Sequence, residues 1–107
     1  MSTAPKAEIL HLSDMVAYQE GSVVSRQITK SDAGNVTLFA FDLGQELSEH
    51  TAPFDALTHV IEGRAEIRLG GQPHDLHAGD AIVMPAGIPH ALRATVRMKM
   101  LLTMIRS

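Results

Sequence analysis

Six histidines and no cysteines leave imidazole as the main metal-ligating and acid–base group of this 107-residue chain. Two of them stand where a strand would begin. His50 lies in EHTAPFDALTHVIEG (Glu49 to Gly63) and His90 in GDAIVMPAGIPHALRA (Gly79 to Ala94). A pair of imidazoles can hold a divalent ion, move protons near neutral pH, or hydrogen-bond a small organic ligand. A third metal ligand is sought nearby. On an unbroken strand Asp55 and His59 point away from the face shared by His50, Ala52, Ala56 and Thr58, although a break in parity at Pro53 would bring Asp55 back. His59 reads as an exterior or interface histidine, and His11, His74 and His77 as surface residues without partner spacing. Without cysteine, disulfide frameworks, thiolate zinc sites, iron–sulfur clusters and cysteine nucleophiles are excluded. The chain also lacks a G-x-S-x-G elbow, an H-E-x-x-H helix and a phosphate-cradling glycine loop.

The elements that would position these groups are strands. Short apolar runs alternate with turn residues, which predicts an all-β sandwich or barrel. Candidate strands cover 8–12, 22–29, 36–43, 56–61, 64–69, 72–76, 81–84, 90–94 and 98–105, with breaks at 30–35, 44–48, 62–63, 70–71, 77–80 and 85–89. Only LSDMVAY, residues 12–18, could form a helical turn. A chain of this length can remove roughly 65% of its unfolded surface from water without a staple, so residues 1–107 are read as one domain. An N-terminal arm of about residues 1–21 precedes a barrel of about residues 22–105.

Strand parity indicates what lines the inside. Ala65, Ile67 and Leu69 share one face and Arg64, Glu66 and Arg68 the other, the second reading as a solvated charged ladder. Met98, Met100, Leu102 and Met104 alternate with Lys99, Leu101, Thr103 and Ile105. Both faces of that strand are apolar enough to be covered. With Val23 and Val24 they exceed what one small barrel covers, which favours a homodimer. Val24, Arg26 and Ile28 share a face, and Arg26 could anchor an anionic ligand if that face is internal. Two imidazoles with methionine thioethers would suit copper(I), although alternate methionines are ordinary core filling.

At Gly79–Ala94 the chain resembles the cupin superfamily. The second cupin motif, G-x5-P-x-G-x2-H-x3-N, is met by Gly79, Pro85, Gly87 and His90, and only Ala94 departs from it. Of the first motif, G-x5-H-x-H-x3,4-E-x6-G, Gly44, His50 and Gly63 are present, with Ala52 in place of the second histidine and Ala56 in place of the glutamate. The resemblance spans about residues 36–105 and implies a double-stranded β-helix, the cupin or jelly-roll barrel, often dimeric. It implies a metal site reduced to His50 and His90. Two alanines in place of two ligands would open volume in a barrel mouth, giving a ligand pocket of His50, Ala52, Phe54, Ala56, Met84, His90 and Met100.

The expected function is a binding barrel for a small organic ligand, with a weak or incomplete site for a divalent transition metal on His50 and His90. Three alternatives remain open: a metal-dependent dioxygenase, isomerase or lyase with a further ligand, a metal-free acid–base catalyst, and a dimeric interaction partner. A net charge of -3 without a basic stripe argues against nucleic acid. No apolar run is long enough to span a bilayer, and MSTAPKAEIL lacks an export signal, so a cytoplasmic protein is expected.

Overall fold

The computed structural model describes residues 3–106. Nine strands follow a short 3-10 turn at Leu12–Asp14: β1 (Val23–Ser31), β2 (Gly34–Phe41), β3 (Glu46–His50), β4 (Asp55–Glu62), β5 (Arg64–Leu69), β6 (Gln72–His77), β7 (Ala81–Met84), β8 (His90–Ala94) and β9 (Met98–Ile105). They form one sheet in the order β1-β2-β9-β4-β7 and a second in the order β3-β8-β5-β6. Every neighbouring pair is antiparallel, giving the jelly-roll barrel expected.

The barrel interior follows from period-2 alternation. Phe41, Val60, Ala65, Ile67, Leu92, Ala94, Met98 and Met100 are buried between the sheets, with Leu47, Leu69, Leu102 and Met104 packed against them. The opposite face of β5 carries the expected ladder. Arg64 donates to Asp75 of β6, and Arg68 to Glu66. Being exposed, these pairs add little stability.

Some expectations about strands change: residues 30–31 and 34–35, expected to lie in a break, extend β1 and β2. Residues 8–12 form no strand, because they belong to a segment that crosses the outside of the barrel. Residues 46–48, expected to be a break, belong to β3. ELSEH has a single apolar residue, Leu47, because β3 lies at a sheet edge and needs only one inward anchor.

The outer face of the first sheet is apolar and is covered by the chain itself. Ala4, Leu10, Leu12, Met15, Val16 and Tyr18 pack on Val24, Ile28, Leu38, Ala40, Ile61 and Leu101, a second small core. Polar bonds hold this strap in place. Glu62 accepts from Ser13 Oγ (2.7 Å) and from the Tyr18 hydroxyl, Lys99 Nζ donates to the Ser13 carbonyl (2.5 Å), and Gly21 N–H donates to Asp42 (2.7 Å). The Arg97 guanidinium and the Lys99 ammonium stand 5.3 and 4.9 Å from the Tyr18 ring centre. Burial and the Glu62 carboxylate raise the Tyr18 pKa, while the Tyr18 and Ser13 hydroxyls lower that of Glu62. The apolar surface that suggested a partner subunit is thus largely the docking face of the N-terminal segment. Val24, Arg26 and Ile28 do share a face, but it is the outer one. Arg26 is exposed and does not reach the interior.

Candidate functional site

His50 reaches the barrel mouth through a bulge. Across β3 and β8, Leu47 pairs with Leu92 and His50 with His90, so three steps on β3 oppose two on β8. The extra residue reverses the alternation beyond it. Leu47 faces the core and His50, an odd number of residues later, is returned to the same side; an unbulged strand would turn it outward. The bulge also frees the Ser48 carbonyl, which lies 2.8 Å from His50 Nδ1. His90 needs no such device, sharing the inward parity of buried Leu92 and Ala94 on β8.

The two imidazoles touch. Their Nε2 atoms are 2.9 Å apart and their rings cross at 72° with centroids 4.2 Å apart. A carbonyl oxygen can only accept, so His50 Nδ1 carries a hydrogen and, in the neutral ring, Nε2 is a bare acceptor. His90 Nε2 must then be the donor in the pair. That leaves His90 Nδ1 without a hydrogen, and this buried atom has no hydrogen-bond partner. His50 is exposed while His90 is only 7% exposed. Burial, then the neighbouring His50, push the His90 pKa below its usual value, with the Ile88 carbonyl opposing them.

The remaining expected pocket residues separate into rim, wall and interior. Ala52 sits on the rim, where its carbonyl accepts from Gly87 N–H (2.9 Å) and ties the 51–54 loop to the Pro85–Pro89 bend. Ala56 is buried, in register with Met84 on one side and Met104 on the other. Met84 is buried too, and its sulfur accepts the Thr58 hydroxyl at 3.7 Å. Met100 lies deeper, in register with Val60 and Phe39, so Met104 and not Met100 is the β9 methionine beside Ala56. Both methionines share one face of β9, and only the pairing of β4 with β9 tells them apart. Phe54 lines a shallow cleft of about 200 Å³ with Pro53, Asp55, Ala86 and Ile105. None of five surface clefts is bordered by His50 or His90. Ala56 belongs to the packed interior that includes Met84, Leu92 and Ile67.

The arrangement can be tested against the metal that the motifs imply. Two nitrogens about 2.0–2.1 Å from an ion and at a right angle would stand about 2.9 Å apart, so the spacing itself is acceptable. The donor set is not. Among the described residues no group of three or more His, Cys, Asp or Glu side chains converges, and Asp55 instead accepts from Ala86 N–H (2.8 Å). Ligating histidines also donate their other ring N–H to an acceptor. His50 does so to Ser48, whereas buried His90 Nδ1 makes no hydrogen bond. The residues present do not fit a resident metal. Of the other histidines, His59 projects outward between inward-facing Thr58 and Val60, and His77 stands 3.8 Å from Asp80 on the surface.

A cupin-domain family model matches residues 37–105. A structure from Streptococcus pyogenes, of a conserved protein of unknown function, is 34% identical, covering 100% of this chain and 96% of that one with a TM-score of 0.91. A cupin superfamily protein from Desulfitobacterium hafniense is 29% identical over 99% of this chain and 97% of that one, also with a TM-score of 0.91. An Aquifex aeolicus protein is 31% identical over 101 residues, 92% of this chain and 83% of that one. A family match over residues 37–105, together with the close likeness of the fold to these structures, makes this chain a member of the cupin superfamily, a small cupin of the type-2 barrel kind.

Proposed function

We propose that this cupin is a binding barrel that takes a small organic ligand at the mouth around His50 and His90, and that it works without a resident metal. The observation that carries the reading is the Nε2–Nε2 contact of 2.9 Å on an incomplete ligand set. Two polar groups meet at the rim, with half-buried Ala52 two residues along the chain from His50 and buried Leu92 two residues along from His90. A few convergent polar groups on an apolar wall suit a small ligand better than a poorly coordinated ion. Residues 1–107 act as one unit in this reading, in the cytoplasm. The second reading, a metal-dependent enzyme, is supported by the cis-ligand spacing alone.

Metal content and ligand stabilisation test the two together. Protein purified without a histidine tag and loaded with zinc, iron or copper is expected to retain far less than one equivalent after desalting. One equivalent retained by the parent and lost in both His50→Ala and His90→Ala would establish the metal reading instead. In a thermal-shift screen of small metabolites, a ligand at 100 times its Kd should stabilise the parent by about 2.7 kcal/mol and leave both variants unmoved.

Homodimerisation belongs to the same reading. Leu57 and Val83 face each other across β4 and β7 on the outside of the first sheet, with Ile105 at its end, and all three remain exposed. Light scattering at micromolar concentration should give twice the chain mass; a monomer mass would remove the dimer from the proposal.

A further inference from the structure

The hydrogen-bond pattern at the mouth specifies what kind of ligand the His50–His90 pair accepts. Ser48 fixes the hydrogen of His50 on Nδ1, which exposes a bare lone pair at Nε2. His90 Nε2, 2.9 Å away, then has to present a hydrogen, because two bare nitrogens at that distance would repel. The alternative His90 tautomer would leave its Nε2 bare as well, facing the lone pair of His50. Both tautomers are therefore set by neighbours, and the mouth carries one acceptor and one donor aimed at each other.

We infer that this pair is a fixed donor–acceptor couple that opens to admit a hydroxyl of a neutral small molecule, which donates to His50 Nε2 and accepts from His90 Nε2–H. The inference rests on the reading of the mouth as an organic-ligand site and names the ligand class. A hydroxyl is complementary because it both donates and accepts. A carboxylate or ketone oxygen would satisfy His90 but face the bare lone pair of His50. An ammonium would satisfy His50 but confront the His90 hydrogen. Two hydrogen bonds of about 2.8 Å meeting at one oxygen hold their partners about 4.5 Å apart, so one ring must move by roughly 2 Å. His50 is the ring that can do so. It is exposed on an edge strand beside a bulge, whereas His90 is held in the packed interior. Closed, the pair satisfies itself; open, it presents complementary groups to one class of ligand.

The experiment uses the intact protein labelled with 15N-histidine, at a pH where both rings are neutral. Ring nitrogen spectra are expected to show His50 protonated on Nδ1 and His90 on Nε2, and a His90 hydrogen on Nδ1 would overturn the inference. Cyclohexanol, cyclohexanone and cyclohexanecarboxylate are then titrated as probes of matched size. Cyclohexanol should shift the His50 and His90 ring signals with an affinity at least about tenfold above the other two, the value of one added hydrogen bond. Equal affinity for the alcohol and the ketone, preference for the carboxylate, or no ring shift with any probe would each overturn it. A metabolite found by thermal shift that depends on His50 but carries no hydroxyl would leave the binding barrel standing and remove only this ligand class. Failure of every ligand in that screen would remove both.

Discussion

The His50–His90 contact is held by groups of opposite character: an exposed ring anchored to a bulge carbonyl and a buried ring with one orphaned nitrogen. That asymmetry has a consequence for stability. In the unfolded chain His90 titrates near its usual value, about 6.5, whereas the folded environment holds it lower. Between the folded value and about 6.5 the unfolded chain therefore binds more protons, so stability rises with pH through that window and falls on acidification. Urea midpoints of the parent should drop between about pH 7.5 and 5.5, and those of His90→Gln should drop less. Parallel pH profiles for the two proteins would show that His90 contributes nothing to the slope. The same residues show how far a site can be read without coordinates. Proline and glycine spacing placed His90 at the start of a strand, but nothing in ELSEH announces a bulge. Parity counted from Leu47 along a regular strand would have sent His50 outward.

Elements differ in how openly they declare themselves. The boundaries of β5, β7, β8 and β9 match those read from alternation, because each has glycine, proline or a charged turn at its ends and apolar residues at every second position. β3 was lost because an edge strand needs little apolar content, and the strap of residues 4–18 because its apolar residues follow no period. Where β4 turns into β5, Gly63 has φ +80°, and a Cβ there would stand 2.1 Å from the Arg97 carbonyl oxygen. Gly71, at φ +83° in the β5–β6 turn, has nothing within 4 Å of such an atom. Gly71→Ala should therefore cost only the left-handed backbone penalty, about 1–2 kcal/mol. Gly63→Ala must also displace backbone and should cost several kcal/mol or prevent folding; equal denaturation midpoints for the two variants would contradict this. The strap offers a second measurement. Tyr18→Phe and Glu62→Gln, singly and together, should show a coupling of about 0.5–3 kcal/mol, since the hydroxyl donates directly to the carboxylate. Glu62 has its pKa lowered in the folded protein, so the stability it contributes is present above its unfolded value of 4.5 and is lost as the pH falls through the folded one. The coupling should vanish below that point.

At the scale of the whole molecule the β1-β2-β9 part of the first sheet is covered on both sides, by the barrel interior within and by the N-terminal segment outside. Deleting residues 1–21 would uncover Val24, Leu38, Ala40 and Leu101 together. The truncated protein should associate or precipitate at concentrations where the full chain keeps a constant mass by light scattering. An unchanged mass would show that the segment is dispensable cover. The order β1-β2-β9-β4-β7 also has a consequence in time. β9, the last of the nine strands in chain order, lies at the centre of the sheet and carries the pairing of both β2 and β4. While residues 98–105 are still within the ribosome, β2 and β4 have no neighbour to bridge them, and neither the inner nor the outer core can close. The barrel therefore closes only once residues 98–105 are available, with its longest-range contacts made last. A ribosome-stalled chain ending before Met98 should remain open to protease along its whole length, and eight more exposed residues should convert it to the resistant form.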